Sequence, residues 1–112
     1  MKTAELTGAA LDWAVAKCEG EKFRWQPEYD CIGQEYDAHH YSTDWAQGGP
    51  IIELGRICID IGHDGVWLAY TKQNYEDDKE FMHAGPTPLI AAMRCFVASR
   101  LGDEVDVPKE LT

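Results

Sequence analysis

The 112-residue sequence has no run of about 18 apolar residues, the length a helix needs to cross a bilayer. Its opening residues, Met1-Lys2-Thr3-Ala4-Glu5, lack the basic-then-apolar layout of a secretory leader. A cytosolic protein with no membrane partner is therefore expected. Basic residues are also scarce. Lys and Arg total 10 against 20 Asp and Glu, for a formal charge of −10. That balance disfavours a nucleic-acid polymer as partner, because a duplex is held through a basic footprint.

Catalytic and metal signatures are missing as well. The four cysteines, Cys18, Cys31, Cys58 and Cys95, are widely spaced and form no C-x-x-C pair, so packed thiols are expected rather than a zinc site. His39 and His40 are adjacent and point apart in extended chain, while His63 and His83 stand alone, so no metal frame results. There is no G-x-S-x-G, no P-loop and no G-x-G-x-x-G; Gly48-Gly49 is too short to be one. The carboxylates are numerous, but spacing singles out no acid and base pair. No catalytic residue, metal or cofactor is assigned, and a binding or interaction protein is favoured over an enzyme.

What is present reads as one globular domain over residues 1–112, with 45% apolar and 27% charged residues. Leu11, Ala14, Val15 and Cys18 recur at helical spacing, predicting a helix over 8–19 with Thr7 as its cap and Gly20 as its stop. Phe23 and Trp25 suggest a short strand before Pro27, and 28–40 reads as a long polar loop. Whether the 21–41 segment is a lid, an interface or a plain loop stays open. Ser42-Thr43-Asp44 opens a helix over 44–54, expected to be distorted or interrupted near Gly49. Ile57, Ile59 and Ile61 alternate with polar residues, Gly62-His63-Asp64-Gly65 turns the chain, and Val66 to Tyr70 returns. Phe81-Met82-His83 is a candidate third strand. Thr87-Pro88 then starts a helix ended by Gly102, and 103–112 reads as an acidic surface tail. The class is α+β, a small antiparallel sheet around the 57–70 hairpin packed against about three helices.

A binding site can be read from two helix starts, at Ser42–Asp44 and Thr87–Pro88, because unpaired amides there attract anions. Tyr41 and Trp45 flank the first start, Gly48 and Gly49 permit close approach, and Trp67 lies on the hairpin. Arg94 lies further along the last helix. The expected ligand set is Tyr41, Ser42, Thr43, Asp44, Trp45, Gly48, Gly49, Trp67, Thr87 and Arg94. The plain alternative is that the caps are only caps and that Trp45 and Trp67 are core residues. The negative charge does not forbid an anion. Ten charges about 15 Å away repel a unit anion by about 3 kcal/mol in unscreened water. Salt brings this below about 1 kcal/mol, whereas one charge-assisted hydrogen bond returns about 1.5–3 kcal/mol.

Three segments carry a family resemblance: Leu6-Thr7-Gly8-Ala9-Ala10-Leu11-Asp12-Trp13-Ala14-Val15-Ala16, Tyr41-Ser42-Thr43-Asp44-Trp45-Ala46-Gln47-Gly48-Gly49-Pro50-Ile51-Ile52-Glu53, and Gly85-Pro86-Thr87-Pro88-Leu89-Ile90-Ala91-Ala92-Met93-Arg94. In that order they resemble the NinX-like family of small phage and prophage proteins. The layout is also distantly similar to phage α-β-α sandwich proteins. The resemblance implies a phage accessory protein made in a bacterial cytosol, and it supplies no activity. Lys22 to His40 lies outside the matching segments. Two functions are expected to compete. One is a non-catalytic binder that sequesters a nucleotide-derived host defence signal, by analogy with other small phage proteins. The other is an acidic protein that binds a host or phage protein. A homo-oligomer sharing its pocket across a two-fold interface is compatible with either.

Overall fold

The computed structural model describes residues 1–19, 24–26, 31–33, 38–72 and 80–111. A short 3-10 turn at Thr3–Glu5 leads into α1 (Gly8–Cys18). Leu11, Ala14 and Val15 are fully buried as their spacing requires, and Ala10, Asp12 and Ala16 widen the buried face. Thr7 enters the helix in extended conformation, but its side chain makes no capping bond; its carbonyl accepts from Leu11 N–H at 3.2 Å instead. Gly20 lies outside the described residues.

Three short strands follow, β1 (Arg24–Gln26), β2 (Cys31–Gly33) and β3 (Ala38–His39), paired antiparallel in that order. The strand expected before Pro27 is there. The loop expected over 28–40 is corrected where the chain is described, since β2 and β3 pair with each other. Strands of two or three residues are too brief to show alternation in a sequence.

α2 (Trp45–Gly55) begins at Asp44, whose carboxylate accepts from Ala46 N–H at 2.9 Å. It runs on through Gly48, Gly49 and Pro50, so the interruption allowed for there does not occur. Arg56 ends it in the left-handed region, at φ 51, and Ile57 N–H closes back on Ile52 C=O at 3.0 Å.

The hairpin forms as read. β4 (Cys58–Ile61) and β5 (Trp67–Lys72) pair antiparallel around a turn in which Asp64 and Gly65 both take positive φ. β6 (Glu80–Gly85) adds to β5 and extends the expected short strand at both ends. Trp67, Ala69 and Thr71 face inward with His83 and Gly85. Against this face lies α3 (Pro88–Leu101), capped by Thr87 Oγ1 accepting from Ile90 N–H at 3.1 Å. Leu89 and every residue from Ala91 to Ala98 are buried, so α3 is the axle of the core rather than a one-faced surface helix.

The acidic C-terminal stretch is not a loose tail. Val105 exchanges main-chain bonds with Met1, its carbonyl accepting from the Met1 ammonium at 2.9 Å and its N–H donating to Met1 C=O at 2.8 Å. Thr3 adds an N–H bond to Asp103 C=O at 2.8 Å and a hydroxyl bond to Gly102 C=O at 2.6 Å. Val105 is buried, and Val107 and Leu111 pack on the core. The result is a clasp that joins the two ends of the chain.

Candidate functional site

The two helix starts meet. A Cβ built on Gly48, in the first turn of α2, would stand 2.5 Å from Leu89 Cδ1, in the first turn of α3. About two turns further along both helices, a Cβ on Gly55 would stand 3.3 Å from Phe96 Cδ1. Both contacts advance by the same number of residues, so α2 and α3 run parallel with their N-termini at one end. Thr71 agrees: its hydroxyl donates to Gly55 C=O at 2.7 Å, which ties the far end of α2 to the far end of β5. The near end therefore gathers both helix starts, the turn between β4 and β5, and Trp67 across from Gly85.

This arrangement has an electrostatic consequence. Each helix carries about half a positive charge at its N-terminus. Side by side and parallel, the two ends repel each other, and an anion placed between them relieves the repulsion. Part of that demand is met internally. The Asp44 carboxylate takes Ala46 N–H, Thr87 Oγ1 takes Ile90 N–H, and Pro88 has no amide hydrogen.

The expected site residues divide into two groups. Thr43, Asp44, Trp45 and Thr87 are exposed at this end, and Trp45 keeps 54% of its surface accessible although it opens a helix. Gly49 is half-buried, and a Cβ there would meet nothing within 4 Å, so no internal packing requires glycine. Trp67 is half-buried against the core. Tyr41 and Ser42, by contrast, are buried. Tyr41 C=O lies 2.5 Å from where a Gly48 Cβ would be, so Gly48 serves close packing between segments of this chain.

Arg94 has a different task from the one expected. Its Nε donates to Leu6 C=O at 2.9 Å and its Nη1 to Ala84 C=O at 2.8 Å. Burial lowers its pKa from the usual arginine value. Arg94 thus ties the N-terminal segment, β6 and α3 together.

Asp12 is the residue that spacing missed. It is buried on α1, and its Oδ1 accepts from Ser42 N–H at 2.9 Å, which fixes the chain on its way into α2. The signal was available: Asp12 is the only charged residue between Gly8 and Ala16. Beside it, the Ser42 hydroxyl is buried and has no hydrogen-bond partner among the described residues. An orphan of this kind costs about 1–3 kcal/mol.

Among the described residues no group of three metal-capable side chains occurs, and no helix is long and apolar enough to cross a membrane. Burial raises the Cys18 thiol to about 11 and the Cys95 thiol to about 12, as expected of packed cysteines. Cys58 departs from that expectation and is exposed. Cys31 has no described side chain. No curated protein matches the sequence. A family profile described as "Bacteriophage P22, NinX" matches residues 2–100, nearly the whole chain, and the protein belongs to that phage family.

Proposed function

We propose that the protein is a non-catalytic binder of a small nucleotide-like ligand, acting in the cytosol of the infected host to sequester a nucleotide-derived defence signal. The observation that supports this reading most is the parallel seating of α2 and α3, fixed by Gly48 on Leu89 and Gly55 on Phe96. A compact anion such as a phosphate lies against the paired helix ends, and the exposed Trp45 ring stacks on the base. Ligand contacts come from Thr43, Asp44, Trp45, Gly49, Trp67 and Thr87. Tyr41, Ser42, Gly48 and Arg94 shape the site from behind. Isothermal titration with a panel of cyclic and linear nucleotides tests the reading, alongside mass spectrometry of any ligand released on denaturation. Binding that Trp45→Ala weakens supports it. No heat and an empty ligand profile contradict it.

A second reading, an acidic protein that binds a basic protein partner, is favoured by the charge of −10 and by exposed Glu5, Asp103, Glu104 and Asp106. A stoichiometric partner whose binding falls with salt and survives Trp45→Ala supports this reading over the first.

A further inference from the structure

The sheet β4-β5-β6 carries apolar side chains on both faces. Ala69 and Thr71 are buried inward under α3. On the opposite face, Cys58, Tyr70 and Met82 align across the strands, and so do Asp60, Leu68 and Ala84. A solvent-facing antiparallel sheet normally turns polar residues outward. Among the described side chains of this face only Asp60 is charged, and Met82 is 58% exposed.

The borders of this strip are acidic. Asp60 lies exposed on β4, and Asp64 lies exposed in the turn at the end of the strip. On the β6 side is Glu5, whose 3-10 turn packs against β6. Both edges are partly occupied. Asp60 Oδ1 already accepts from Ile61 N–H on β4 at 2.9 Å, and the Thr3–Glu5 turn lies along β6. A partner that uses the apolar strip approaches it face-on. Three strands about 4.8 Å apart offer a width that suits one helix of about 10 Å. A second copy would bring its own −10 charge and its own acidic borders.

We propose that the outer face of β4-β5-β6 is a docking surface for a basic amphipathic helix of another protein. The apolar stripe of that helix packs on Leu68, Tyr70 and Met82, and its flanking Lys or Arg residues meet the acidic borders. This surface is independent of the ligand site at the helix starts.

The test uses the full chain and a fluorescein-labelled two-heptad Leu/Lys amphipathic peptide, with a Leu/Glu peptide as control, read by anisotropy. The Leu/Lys peptide is expected to bind and the control is not. Met82→Glu and Leu68→Glu should each weaken binding at least tenfold, while Trp45→Ala changes nothing. Both glutamates add negative charge, so attraction to net charge alone would strengthen binding; a loss can come only from the apolar face. Because Leu68 is half-buried, circular dichroism must show that its variant is folded, and the exposed Met82 gives the independent reading. Peptide binding unchanged in Met82→Glu overturns the proposal. So does a dimer in sedimentation that Met82→Glu dissolves, because the face would then belong to a second copy.

Discussion

Gly48 and Leu89 stand closer than any side chain at position 48 would permit, and this contact holds the starts of α2 and α3 together. A methyl group at 48 would also press on Tyr41 C=O, a backbone atom with little room to yield. Gly48→Ala should therefore destabilise the fold by about 1–3 kcal/mol, the usual cost of overpacking. Gly49→Ala is the matched control. Its added methyl points into open space, and alanine replaces glycine inside a helix, so a gain of up to about 1 kcal/mol is expected. Urea unfolding of both variants checks the opposite signs.

Arg94→Ala should behave as a stability variant. It removes the donors that hold Leu6 C=O, which is buried, and Ala84 C=O, which is only partly so. A loss of about 2–3 kcal/mol is expected. Any ligand that binds the folded variant should do so nearly as well as it binds the parent protein. A large drop in affinity with unchanged stability would return Arg94 to the binding site.

His83 should make the fold sensitive to mild acid. Burial lowers its pKa and the nearby Arg94 charge lowers it further, while Asp103 opposes both. The unfolded chain then binds the proton more readily than the folded one. Stability from the neutral imidazole is complete above the unfolded value near 6.5 and declines as pH falls from there toward the depressed folded value. The urea midpoint should drop between pH 7 and pH 5, and His83→Gln should flatten that part of the profile.

Asp12 and Ser42 should respond in opposite directions. Asp12→Ala leaves Ser42 N–H without its buried acceptor and should cost about 1–3 kcal/mol. Ser42→Ala removes a hydroxyl that has no partner among the described residues, so it should be neutral or stabilising in the ligand-free protein. Thermal melts of the two variants decide. A strongly destabilised Ser42→Ala would mean that the hydroxyl is paired.

Much of the architecture was legible because periodicity and caps carry it. The Ile57-Ile59 alternation with its Gly-His-Asp-Gly turn located the hairpin, and Thr87-Pro88 with Gly102 bounded α3. Other features depend on tertiary partners that no local pattern reports. Arg94, a cation on the last helix, reads in sequence as a ligand residue; its acceptors are Leu6, at the other end of the chain, and Ala84. Val105 looked like tail because its neighbours are acidic, yet its ladder partner is Met1. Pro50 argued for a broken α2, but the helix holds through it. Convergence of the two helix starts was an expectation from chemistry alone, and only the glycine contacts give it geometry.

The most direct measurement is isothermal titration of a cyclic and linear nucleotide panel into the parent protein and into Trp45→Ala. Saturable binding of at least one nucleotide, weakened tenfold or more by Trp45→Ala with no change in unfolding midpoint, is the expected result. A parent protein that takes up none of the panel, or binds one equally well without the indole, would contradict a nucleotide site at the paired helix starts.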